Sequence, residues 1–174
     1  SAAVSACVRC TVACTSATLH TVASAGTVGY HNAVTTGTDG LPLIGYSDQT
    51  NGVMKVAHCD DRACASAVSS IVDNQYGTHI SATVGGDGLG LISYHGWAPN
   101  PNDPYDVKFA HCNDLLCSKA STSTPDLPLN TGQYTSVTIG ADGLPLVSYS
   151  DQFVSDLKVA HCSNVFCVPY LRRR

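Results

Sequence analysis

Lys55-Val56-Ala57-His58-Cys59, with Cys64 close behind, returns as Lys108-Phe109-Ala110-His111-Cys112 with Cys117 and as Lys158-Val159-Ala160-His161-Cys162 with Cys167. A unit of about 50 residues has been copied along the chain, and units of that size that cannot bury an apolar face alone build solenoids, propellers or arrays. Upstream of each block lies a second repeated stretch. Asp39-Gly40-Leu41-Pro42-Leu43-Ile44-Gly45-Tyr46 aligns with Asp87-Gly88-Leu89-Gly90-Leu91-Ile92-Ser93-Tyr94 and with Asp142-Gly143-Leu144-Pro145-Leu146-Val147-Ser148-Tyr149.

Each Asp-Gly is preceded by a short β-branched run (Ala33–Gly37, Ile80–Gly85, Val137–Gly140) and followed by an apolar one, the strongest short-range hairpin signal. These runs are strands A and B of the unit. A second turn, Asn51-Gly52 in the first copy, leads to strand C (Val53–His58, Val107–His111, Leu157–His161), and after the cysteine pair comes strand D, clearest at Ser66–Val72. Helical periodicity is absent. Four short antiparallel strands per unit predict an all-β fold of β-propeller blades; a β-sandwich also uses short strands but has no reason to repeat its sequence at this period.

Residues following Cys14 match those following Cys64, so the chain reads D-ABCD-ABCD-ABC: a cysteine-rich segment with a lone strand D (1–29), blade 1 (30–75), blade 2 (76–129) and an incomplete blade 3 (130–174), in one array. Propellers use typically four to eight blades. Three predict completion by strand exchange with another copy of the chain, as a ring or a filament, or membership of a longer polypeptide.

With 174 residues, a net charge of −4 and charged residues at 13%, the chain has no basic face for nucleic acid beyond the terminal Arg172–Arg174. No apolar run reaches the 18 residues of a membrane span. Nine cysteines at regular spacing, together with a first residue Ser1 of the kind left by signal-peptide removal, predict a secreted protein. Cys59/Cys64, Cys112/Cys117 and Cys162/Cys167 are expected as disulfides across the C–D connection. Zinc is the rival, because a histidine precedes each first cysteine, but neighbouring strand residues point to opposite faces. Cys14 is expected to join Cys10 or Cys7; a Cys10–Cys14 pair leaves Cys7 as a thiol for an intersubunit bond.

His58, His111 and His161 share a strand face with Val56, Phe109 and Val159. They are expected as satisfied core residues, bonded to a neighbouring strand or to a turn carboxylate such as Asp48 or Asp151. Asp39, Asp87 and Asp142 are accounted for as turn residues. No nucleophile elbow, phosphate-binding glycine loop or HExxH is present. The middle unit alone carries a long B–C connection, His95–Asp106, with the sole Trp of the chain; Trp97 and Tyr105 are the candidate ligand residues.

Across about residues 10–167 the repeat resembles the blade of secreted bacterial β-propeller proteins, with Gly90 in place of proline and the middle-loop insertion as departures. The resemblance implies a fold that hosts lectins, enzymes and scaffolds alike. The expected function is that of a non-enzymatic extracellular structural protein that self-assembles through its terminal strands, without cofactor or metal. The alternative is a lectin-like module binding glycans through Trp97 and Tyr105. A hydrolase requires an asymmetric carboxylate pair that the sequence does not display.

Overall fold

The computed structural model describes residues 17–96, 105–125, 131–152 and 154–168. Among these there is no helix, and the strands form three antiparallel meanders. The first sheet runs β1 (Val28–Thr36), β2 (Pro42–Asp48), β3 (Val53–Cys59) and β4 (Ala67–Asp73). The second runs β5 (Gly77–Val84), β6 (Gly90–Gly96), β7 (Asp106–Cys112) and β8 (Ala120–Ser123). The third has β9 (Thr131–Ile139), β10 (Pro145–Asp151) and β11 (Asp156–His161). The first strands lie side by side, β5 between β1 and β9, so the sheets fan out like blades.

Turn chemistry fixes each register. Asp39 Oδ1 accepts the Leu41 N–H at 3.0 Å, Gly40 takes φ +78°, and the Gly37 N–H donates to the Leu41 carbonyl at 2.8 Å. The same bonds recur around Asp87-Gly88 and Asp142-Gly143. This register sets Leu43 opposite His58, which brings the histidine to the hairpin: His58 Nε2 lies 2.8 Å from Asp39, His111 2.9 Å from Asp87 and His161 2.8 Å from Asp142. The carboxylates that hold the repeated histidines are therefore the turn aspartates. Asp48 and Asp151 instead face Lys55 at 3.4 Å and Lys158 at 2.7 Å, correcting the sequence expectation.

The three Cys-x4-Cys pairs lie at disulfide distance, with Cα–Cα separations of 4.9, 4.8 and 4.9 Å. In each, the second cysteine is left-handed, at φ 55°, 52° and 50° for Cys64, Cys117 and Cys167. Cys7, Cys10 and Cys14 lie outside the described residues.

The core sits between blades, not within them. Met54 and Val56 of β3 meet Ile80, Ala82 and Ile92 of the second sheet, and Val107 and Phe109 of β7 meet Val137, Val147 and Tyr149 of the third. Hydroxyls stitch the same seams: Ser47 donates to the Gly77 carbonyl, and Ser81 accepts the Val137 N–H at 3.1 Å. Among the described residues, β11 is an edge without a fourth strand, and residues 17–22, expected as a strand D, form no strand in the single chain. Residues 20–23 line a cavity with Val28, Ile44 and Tyr46 of the first sheet instead.

Candidate functional site

Strand A is longer than its β-branched run suggests, and the extension carries the side chains of interest. Counting five residues back from the strand ends Thr36, Val84 and Ile139 reaches His31, His79 and Tyr134, each two residues after a glycine (Gly29, Gly77, Gly132). This is the end of the blade opposite the Asp-Gly hairpin.

A β-bulge interrupts the ladder there in every sheet. From Thr78 to Ser81 is three steps on β5 against two on β6, from His95 to Ser93; from Gln133 to Ser136 is three on β9 against two on β10. An inserted residue bends its strand and re-aims a side chain. His79 and Tyr134 take it up in the left-handed region, at φ 49° and 55°, an uncommon state for residues other than glycine. The first sheet places the positive φ on Gly29, at 74°. A hydroxyl relay holds the bulge of β5 to β9: Ser93 Oγ donates to Thr135 Oγ1 at 2.9 Å, which donates to the His79 carbonyl at 2.7 Å. Gly132, at φ +100°, allows β9 to approach β7, because a Cβ there would stand 2.5 Å from the Val107 Cα.

These bulges assemble an aromatic row across three blades. The His31 and His79 ring centroids are 5.4 Å apart, His79 and Tyr134 4.4 Å, and Tyr30 meets His31 edge-on at 5.2 Å. Behind the row, His95 at the end of β6 lies 6.0 Å from His79 and stacks on Tyr105 at 4.9 Å and 27°. Thr78 Oγ1 is 3.3 Å from His95 Nδ1. Tyr30 and Tyr134 are 72% and 69% exposed, Tyr105 41%, whereas His95 is buried.

Burial lowers the pKa of His31; burial, and then the neighbouring His31, lower that of His79. Burial, followed by His79, pushes His95 down to about 4, with a backbone hydrogen bond with Tyr105 acting the other way. The three imidazoles are neutral at neutral pH, each offering one donor and one acceptor nitrogen. Tyrosine faces beside such nitrogens suit a neutral, hydroxyl-rich ligand. No group of three or more His, Cys, Asp or Glu among the described residues is arranged to hold a metal ion.

Of the sequence candidates, Tyr105 joins this row through His95, while Trp97 lies outside the described residues. The row itself escaped sequence reading. Its signal was the recurrence of Gly-x-(His/Tyr) at a constant distance ahead of Asp-Gly, obscured because bulges break the alternation by which strands are recognised.

Neither a protein-family model nor a curated protein matches the sequence. Among solved structures, the chain is similar to a thermostable family-43 glycoside hydrolase, with TM-score 0.58 and 13% identity over 86% of this chain and 53% of that one. It is similar to the endo-arabinase of Bacteroides thetaiotaomicron VPI-5482, with TM-score 0.51 and 9% identity over 75% and 54%. The α-L-arabinofuranosidase of Lactobacillus brevis gives TM-score 0.52 and 12% identity over 78% and 49%. The chain spans about half the length of these structures. The likeness establishes a propeller-like all-β fold.

It also corrects the expected role. A non-enzymatic structural protein built for self-assembly was inferred from repeats made of strands and cysteines without a repeated acid and base, yet these three structures, among those that share the fold, are glycoside hydrolases. The inference failed because a repeat records what every blade needs for folding. A site needs its residues once.

Proposed function

We propose that this chain is the sugar-gripping part of an extracellular carbohydrate-active propeller, holding a glycan over the row His31, His79 and Tyr134 with Tyr105 at its side. The observation that carries this is the row itself: three neutral imidazoles and exposed tyrosine faces gathered by bulges on adjacent innermost strands. Aromatic faces with a few placed polar groups are what fix the orientation of a small ligand. The fold shared with an endo-arabinase and an arabinofuranosidase supports arabinose-containing oligosaccharides as the ligand class and hydrolysis of them as the activity of the whole protein. Three cysteine pairs at disulfide distance support placement outside the cell.

The test is calorimetric titration of the chain with arabino-oligosaccharides, alongside a reducing-sugar assay on arabinan. His79→Ala and Tyr134→Ala are each expected to weaken binding by roughly tenfold, with far-ultraviolet circular dichroism unchanged. Absence of binding to any arabinose-containing oligosaccharide overturns the assignment, as does binding that neither substitution moves.

A further inference from the structure

The three repeats bury the same positions to different extents. Met54, Val107 and Leu157 share one position on strand C, and Val56, Phe109 and Val159 another, two residues on and on the same face. In the first two sheets all four side chains are fully buried, at 0% exposure, whereas Leu157 is 80% and Val159 61% exposed. The histidine next along that face follows suit: the side chains of His58 and His111 are 5% and 1% exposed, that of His161 53%.

What covers the first two faces is known. Ile80, Ala82 and Ile92 of the second sheet lie on Met54 and Val56; Val137, Val147 and Tyr149 of the third lie on Val107 and Phe109. In both cases the cover is the innermost strand and its neighbour from the next blade. The matching cover face of the first sheet is covered only in part, by residues 20–23, which line a cavity with Ile44 and Tyr46. Val34 of β1 holds the repeat position of Ala82 and Val137, and it is 66% exposed where Val137 is 8%.

From these two open faces we infer that blade 3 is the docking surface for blade 1 of a second copy of this chain, with Leu157 and Val159 covered by the partner's Val34 and the strand that bears it. The surface continues an interface that the chain already builds twice, and this selects another blade as occupant. A second copy supplies the complementary face at the position the repeat dictates. The contact runs face to face between sheets and needs no strand to be exchanged. Applied twice about a two-fold axis, it joins two copies through two such contacts.

The experiment is the mass of the full chain by light scattering and sedimentation equilibrium. The wild type is expected at twice its 18.1 kDa. Leu157→Asp with Val159→Asp, and separately Val34→Asp, place charges where a dry interface must form; each is expected to weaken dimerisation by roughly a hundredfold. All three positions are exposed in the single chain, so unchanged circular dichroism and unfolding midpoints will show that the variants fold. Mixing the two variants leaves one intact pair of faces and is expected to recover a heterodimer. A wild type that stays monomeric at high micromolar concentration overturns the inference. So does an oligomer that neither variant weakens, or a mixture that recovers nothing.

Discussion

The two ends of the blades have followed different rules. At the Asp-Gly hairpin end the three sheets are copies: one turn, one histidine, one carboxylate, with His–Asp distances of 2.8, 2.9 and 2.8 Å. At the other end they diverge. Asp48 and Asp151 hold Lys55 and Lys158 within their own sheets, but the middle sheet has Gly96 at that position, and Lys108 turns instead to Asp73 and Gln75 of the first sheet, the latter at 2.7 Å. Tyr94 OH donates to the same Asp73 at 2.6 Å. Here too lie the bulges and the left-handed His79 and Tyr134. Uniform clasps make an array, and departures from uniformity make a site.

If that division holds, the costliest single substitution should strike the divergent end through its backbone. Gly132→Ala combines a φ of +100° with a Cβ 2.5 Å from the Val107 Cα and 2.6 Å from its nitrogen, so neither strand can yield without moving β9 off β7. A loss of about 3 kcal/mol is expected in urea unfolding, together with loss of glycan binding because Tyr134 moves with the bulge. A neutral Gly132→Ala would mean that the close approach of β9 to β7 is dispensable.

The uniform end offers a graded test, because its three clasps differ in cover alone. Asp87→Ala removes the carboxylate 2.9 Å from His111, whose side chain is 1% exposed, and the Leu89 N–H acceptor. About 2 kcal/mol is expected. Asp142→Ala removes the corresponding carboxylate beside His161, which is 53% exposed and can turn to water; a smaller loss than at Asp87 is expected. Equal costs at the two positions would show that burial by the next blade does not set the strength of the clasp.

Legibility in the sequence followed the same divide. Asp39-Gly40 and its copies announced hairpins, Lys55–Cys64 and its copies announced strand C and the cysteine staples, and from these the three sheets could be placed. The partner of His58 was misjudged because a turn aspartate is already explained by its own backbone bonds; that it also reaches strand C depends on the register Leu43 to His58. The residues of the row stayed hidden for a physical reason. A bulge adds a residue without changing composition, and it shifts the alternation at the residue it re-aims, so His79 and Tyr134 sit where a period of two predicts the end of the strand. Tyr105 was noticed because its loop is unique to one repeat.

The smallest effect concerns protons, and it separates the two ends by pH. At the hairpin end, backbone N–H donors come first among the causes that lower the pKa of Asp39 and Asp142, so their contribution to stability is present above the ordinary carboxylate value and is lost as pH falls through the lowered one. At the row, His95 titrates at about 4 in the fold because burial, then His79, disfavour its charge. A histidine lowered in the folded state binds its proton more readily in the unfolded chain, so stability is full above about 6.5 and declines as pH falls from there toward about 4. The slope from this one group cannot exceed ~1.4 kcal/mol per pH unit, and the partial exposure of the row will reduce it. Unfolding followed from pH 7 to pH 4.5 should show that decline, and His95→Gln should flatten it while leaving the carboxylate-driven fall below about pH 4 in place. A slope in that window that survives His95→Gln would assign it to His31 and His79 and remove His95 from the groups that couple the row to the fold.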